Sequence, residues 1–281
     1  TRSSAVTGVQ TCALPIWLDV VNSKIDYFRL EKYILKNIGS YIYCRGRMNR
    51  YNIPSDYMIL AKDAFSAYRK GIESDPRTNH FNEIMLYFFL ECVLNAPKIF
   101  SKMELQEHSG IYDSSSSGIH ILTYKKDGRL LNQLVYGATG TVDTLESAVD
   151  NAFTQIIEIK NHMDDEYELV KEDVLNTKFD TETNKVLESI IIPNKKFEER
   201  PDNAFGIFLG YTIDMNNEIN NERYKTELEI NLNNDIKRIS PYIQKKIEEL
   251  ELSNYSFYIY ILPFNDVKVD KDLIMKRALE F

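Results

Sequence analysis

The sequence predicts an α/β fold, on three observations. A helix that is apolar almost all round, Phe81 to Leu94, gives way to three short strand patterns. A strongly amphipathic helix follows them. Two further apolar strand runs, 205–213 and 256–264, then flank a long helical stretch. The switch between the three- and four-residue spacing of helices and the two-residue spacing of strands marks each change of element.

The chain opens on TRSSAVTGVQTCALPI, in which VTGVQTCALPI resembles the translated read-through of a sequencing adapter. Residues 1–16 are therefore set aside as not native, as one sets aside a scar of cloning. Residues 17–75 read as an N-terminal helical region, from Ile25, Phe28, Tyr33 and Ile34 onward. Tyr57, Leu60, Ala61, Ala64, Phe65 and Tyr68 make its clearest stripe, with Pro54 in a first turn. Gly71 and Asp75-Pro76-Arg77 end it.

Residues 76–281 read as the main domain. Thr78 or Asn79 caps the helix 81–94, which its apolar surround marks as buried. Within 97–106 lies a first strand, then a polar loop, then a strand over 118–124. Lys126-Asp127-Gly128 turns the chain into a third strand, 130–136. The glycine-rich run 137–141 reads as a turn. Asp143 caps the next helix, with Glu146 close to a capping-box position. The charges of 164–196 read as a solvated face. Gly206 and Gly210 leave one face of the strand 205–213 open to a helix. Ser240-Pro241 interrupts the helix 222–251. The run SFYIYILPF at 256–264 is apolar on both faces, as a central strand is.

Composition bounds the function. Hydrophobic residues at 43% and charged residues at 27% describe a globular chain rather than a disordered one. A net charge of -8 excludes a broad basic footprint for nucleic acid, so any such contact is local or assisted. Of the three cysteines, Cys12 lies in the leader, and Cys44 and Cys92 show no metal spacing. Cys92 reads as a small core residue and both as reduced thiols, which fits a cytoplasmic location. No apolar run reaches membrane-spanning length. No Walker loop, zinc spacing or dinucleotide fingerprint is present.

The order helix, three-stranded meander, helix and further strand resembles the core of the restriction-endonuclease-like, or PD-(D/E)xK, nucleases. The runs FNEIMLYFFLECVLNAPKIFSKMELQ, SSGIHIL and QLVYGATGTVDTLESAVDNAF resemble the HamA family, also described as anti-bacteriophage protein A. GIFLGYTID and ISPYIQKKIEEL with FYIYILPFNDV are similar to it as well. The resemblance implies a nuclease-fold effector of Hachiman anti-phage defence. It also implies a helicase partner, HamB-like, and contact with DNA, without a membrane. It further implies Mg²⁺ held by two carboxylates, with a lysine and the metal activating water.

Carried over by position, Glu83 matches the acid of the first helix and is the one candidate metal ligand. The strand-two motif Asp-Gly-[IV]-His reads Ser117-Gly118-Ile119-His120. The strand-three motif Gly-Glu-x-Lys reads Gly137-Ala138-Thr139-Gly140. Ser117, Ala138 and Gly140 thus stand where aspartate, glutamate and lysine are expected. A neutral hydroxyl cannot offset a divalent charge, so the resemblance implies that Mg²⁺ is held weakly and cleavage is impaired. Three readings follow: a nuclease-fold subunit without cleavage, a nuclease using the displaced residues Glu83, Asp113 and His120, or an interaction subunit that regulates the helicase. Read plainly, Glu83 is a solvated helix residue, His120 a core histidine, and Ser114 to Ser117 a low-complexity loop.

Overall fold

The computed structural model describes residues 5–6, 9–13, 18–43, 57–74, 80–102, 104, 114–175, 187 and 201–279. Mixed α/β order is what it shows. The chain divides into two units, residues 1–36, 138–155 and 205–281 on one hand, and 37–137 and 156–204 on the other.

The first unit opens with strands β1 (Ala5–Val6) and β2 (Val9–Ala13). Here β2 runs parallel to β9 (Ser256–Phe264), from Val9 opposite Phe257 to Ala13 opposite Ile261. The leader set aside above thus takes part in the sheet. Any non-proline backbone can supply such pairing, whatever its origin. Strand β8 (Asp202–Thr212) lies beside β9, and the end of β7 (Arg129–Thr141) lies beside β8. Both β8 and β9 are buried along nearly their whole length, which explains their unbroken apolar reading.

Residues 19–26, expected to be helical, form a hairpin instead: β3 (Asp19–Val21) and β4 (Lys24–Asp26). Asn22 and Ser23 sit at φ 52° and 53°, the paired left-handed conformation of a tight hairpin turn. The Asn265 side chain seizes this hairpin: its Oδ1 accepts from the Ile25 N–H at 2.9 Å, and its Nδ2 donates to the Ile25 carbonyl at 3.0 Å. Asn265 thereby acts as a one-residue strand partner across 240 positions of sequence.

Helix α1 (Phe28–Ile42) follows, then α2 (Tyr57–Ser74), which passes through Gly71 rather than ending there. Pro54, Thr78 and Asn79 fall outside the described residues. Helix α3 (Phe81–Phe88) starts after His80, whose side chain makes no capping bond. A π-helical turn (Phe89–Val93) extends it. The extra residue per turn rotates the register, and Cys92 faces outward instead of into the core.

The second unit holds the meander β5 (Lys98–Ser101), β6 (Gly118–Lys126) and the first part of β7, all antiparallel. Strand β7 continues through 137–141, where a turn was expected. Helix α4 (Leu145–Asn161) is capped one residue later than expected: Thr144 Oγ1 accepts from the Ser147 N–H at 3.3 Å. Asp143 instead meets Lys268 at 2.5 Å, and Glu146 meets Arg238. Helix α5 (Met163–Leu175) comes next.

Helix α6 (Asn221–Glu249) passes through Pro241 unbroken. Pro241 lies on its exposed face, and Ser240 Oγ donates to the Ile236 carbonyl at 2.6 Å. Gly210 faces strand neighbours, not a helix: a Cβ there would lie 2.7 Å from Thr141 Cγ2 and 2.9 Å from Phe264 Cε2. A last helix, α7 (Val267–Leu279), was not foreseen. Among the described residues, no helix is long and apolar enough to cross a membrane.

Candidate functional site

Three of the motif positions lie in the second unit. Helix α3 buries Phe81, Ile84, Met85 and Leu86 and leaves Glu83 half-buried. Glu83 is one of the groups whose charge bears on the buried Tyr41 hydroxyl. Burial, then the negative charges of Glu83 and other acidic groups, hold that phenol well above its ordinary range.

Ser117 is buried, and its N–H donates to the Gly137 carbonyl at 2.8 Å. The next residue, Gly118, adopts φ 153°, which side-chain-bearing residues rarely do. Gly137 is equally confined: a Cβ there would sit 2.6 Å from Leu86 Cδ2 and 3.0 Å from the Gly118 carbonyl. Helix α3 and the start of β6 therefore close on the backbone of Gly137. His120 is 1% exposed, and its Nδ1 lies 2.8 Å from the Ala96 carbonyl. A carbonyl can only accept, so Nδ1 carries the proton. Tyr87 covers the ring at 6.0 Å between centroids.

The serine run is not the loose loop expected. Ser114, Ser116 and Ser117 are all buried. Ser116 Oγ donates to the Gly118 carbonyl at 2.8 Å and accepts from the Gly137 N–H at 3.0 Å. Ser114 Oγ donates to the Glu166 carboxylate, 2.8 Å from each oxygen. Glu166 is fully buried, although it lies in a segment expected to be a solvated face. Lys102 Nζ reaches the Ser114 carbonyl at 2.6 Å. Asp113 falls outside the described residues. The signal for Glu166 was present: it lies on α5 beside the buried Tyr167 and four residues before the buried Val170. Glu166→Ala is expected to lower stability by about 1–3 kcal/mol, because the buried Ser114 hydroxyl loses its acceptor. Glu166→Gln, which keeps an acceptor, should recover most of that in urea unfolding. An alanine variant as stable as the parent would remove this role.

A second buried charge was also missed. Lys98 is 4% exposed, and its ammonium meets Glu104 Oε2 at 2.8 Å, the Tyr41 carbonyl at 2.8 Å and the Tyr43 carbonyl at 3.1 Å. All three ammonium hydrogens thus have acceptors, two of them at the C-terminal end of α1, where a cation is favoured. Strand pairing sets Lys98 opposite His120. A single lysine inside the apolar run Ala96–Phe100 is the sequence signal for such a pair.

The other two motif positions, Ala138 and Gly140, lie in the first unit. Ala138 is fully buried. Gly140 lies flush against the backbone of α4. A Cβ there would sit 2.7 Å from the Ala148 carbonyl carbon, 3.0 Å from its Cα, and would overlap the carbonyl oxygen outright. Thr139, between them, donates its N–H to Gln155 Oε1 at 2.8 Å.

These residues do not fit Mg²⁺. Ser117 and Ala138 offer no charge to a hard cation, and position 140 has no room for any side chain. Among the described residues, no three His, Cys, Asp or Glu side chains converge as a metal centre. A crevice of about 590 Å³ does occur in the first unit, at the ends of β8 and β9, lined by Asp143, Asp214, Asn265, Asp266 and Lys268. It includes none of the motif positions.

The model of one protein family, HamA, matches residues 10–278. No curated protein and no solved structure gives a significant match.

Proposed function

This chain belongs to the HamA family, and from that premise we propose that it is a Hachiman anti-phage defence subunit that keeps a nuclease-type fold without cutting DNA. The observation that carries the reading is the seam at Gly140. Where an active relative would place a lysine, the α4 backbone occupies the space a side chain needs. Ser117 and Ala138 remove the flanking charges by chemistry. Position 140 removes the third group by volume. In this reading the subunit acts in the cytoplasm by binding DNA together with a helicase partner of HamB type.

Plasmid DNA incubated with the chain and Mg²⁺ or Mn²⁺ is expected to stay intact, with Glu83→Ala indistinguishable from the parent. Cleavage that disappears in Glu83→Ala would establish the displaced-residue nuclease instead. The net charge of -8 favours a second reading, an interaction subunit that regulates the helicase without touching DNA. Binding of duplex DNA across a salt series separates the two. A phosphate contact weakens steeply as salt rises. No binding, or binding indifferent to salt, would leave the interaction subunit.

A further inference from the structure

The run Thr123 to Asn132, TYKKDGRLLN, holds Lys125, Lys126 and Arg129 against one acid, Asp127. Three cations against one acid give it a local charge of +2, in a chain whose net charge is -8. The run spans the end of β6, the turn and the start of β7. Strand β5 pairs with β6 over Gly118 to His120, whereas the β6–β7 ladder runs on from Thr123 opposite Asn132 to Lys126 opposite Arg129. Along that extension every residue is exposed or half-buried, while Ile119 to Leu122 and Gln133 to Tyr136 are buried. Asp127 and Gly128 take φ 51° and 78°, the paired left-handed conformation of a two-residue hairpin turn. At the base, Thr123 Oγ1 donates to Asn132 Oδ1 at 2.7 Å. The extension is thus a two-stranded ribbon with a tight, basic tip.

The fold does not account for these charges. Lys126 and Arg129 stand directly opposite each other on one face, and like charges so placed weaken a strand pair. None of the three cations makes an ion pair among the described residues. An anion lying against the tip would relieve the repulsion. Lys125 lies on the opposite face, one residue along the strand, so cations flank the ribbon on both sides. The two phosphate walls of a DNA groove match that arrangement. The major groove of B-form DNA, about 12 Å wide, admits a two-stranded β-ribbon.

We propose that the β6–β7 ribbon is a DNA-contacting arm, in which Lys125, Lys126 and Arg129 meet the phosphates of duplex DNA. The proposal rests on the DNA-binding reading above. It supplies the local contact that an acidic chain requires.

Fluorescence anisotropy of a short labelled DNA duplex, titrated with the full chain across a salt series, tests the arm. Lys125→Ala, Lys126→Ala, Arg129→Ala is the arm variant. Lys62→Ala, Lys225→Ala, Lys237→Ala is the control, which removes the same charge from exposed positions elsewhere. Each phosphate contact steepens the slope of log affinity on log salt by about 0.9, so the arm variant should bind about tenfold more weakly or worse at about 0.1 M salt, with a slope shallower by about two to three. The control should keep most of the parent's affinity. Lys126→Glu gives a second reading. It sets opposite charges across the strand pair, which supports the ribbon, and should still weaken binding. Equal weakening in arm and control variants would mean a diffuse charge effect and overturn the arm. Binding by the arm variant at the parent's level would also overturn it, while the DNA-binding reading would stand and the cations would point to an acidic protein surface. No binding by the parent even at low salt would overturn both.

Discussion

Gly140→Lys, which writes the expected motif lysine back into the chain, is expected to break the fold locally rather than restore a metal site. The substitution introduces a Cβ that overlaps the Ala148 carbonyl oxygen. The obstacle is helix backbone, not the flexible tip of a side chain. Helix α4 cannot retreat easily, because Leu145, Ala148, Val149 and Ala152 are all buried along it. Overpacking of a core costs about 1–3 kcal/mol and more where backbone must move. Gly140→Ala isolates the effect, since it adds the Cβ and nothing else. Its urea midpoint should fall by an amount equivalent to about 3 kcal/mol, with Gly140→Lys at least as damaging. That is a large part of the 5–15 kcal/mol, roughly, by which domains are stable. The triple variant Ser117→Asp, Ala138→Glu, Gly140→Lys should therefore show no Mn²⁺-dependent cleavage. An alanine variant with the parent's midpoint would show that the seam yields, and the argument from volume would fail.

Lys98→Ala is expected to be the other severe change. It strands the Glu104 carboxylate, which the ammonium meets at 2.8 Å in a site where Lys98 is only 3% exposed at its side chain. It also removes the donor from the Tyr41 and Tyr43 carbonyls. Breaking a buried ion pair from one side typically costs about 3–5 kcal/mol, mainly through the charge left behind. The double variant Lys98→Ala, Glu104→Ala should then be more stable than Lys98→Ala alone. Glu104 also accepts from the Ser101 N–H at 2.8 Å, so recovery should be incomplete. Denaturant unfolding of the three variants decides it. A double variant less stable than Lys98→Ala would mean that Glu104 is needed for Ser101 more than it is harmed by losing its partner.

Much of the fold was legible because periodicity reports burial directly. Phe81–Phe88, the meander and SFYIYILPF each announce which faces are covered. What periodicity could not report is which neighbour covers them. Gly210 and Gly140 look alike in sequence, yet one is crowded by strand side chains and the other by a helix backbone. Local turn chemistry also decided more than expected. Asn22 and Ser23 turn a short apolar pattern into a hairpin, and Thr144 takes the cap from Asp143. Pro241 is tolerated because it lies on the exposed face of α6, which sequence does not disclose. Glu83, Ser117 and His120 were nameable from the sequence as candidates. Their company was not. Lys98 reaches the Tyr41 carbonyl across 57 residues of sequence, and Ser114 reaches Glu166 across 52.

The clasp between Asn265 and Ile25 also sets a timetable. A ribosome releases the β3–β4 hairpin 240 residues before it releases the side chain that completes it. At about 5–20 residues per second, that is a wait of roughly ten to fifty seconds. Through that interval the Ile25 amide and carbonyl lack the partner that Asn265 supplies. The first unit, assembled from three separate stretches of chain, can close only after its third stretch, residues 205–281, has been made. The unit that carries Glu83, Ser117 and His120 has all its residues in hand earlier, by position 204. Nascent chains stalled between those two points should contain the second unit's contacts and lack the hairpin's clasp.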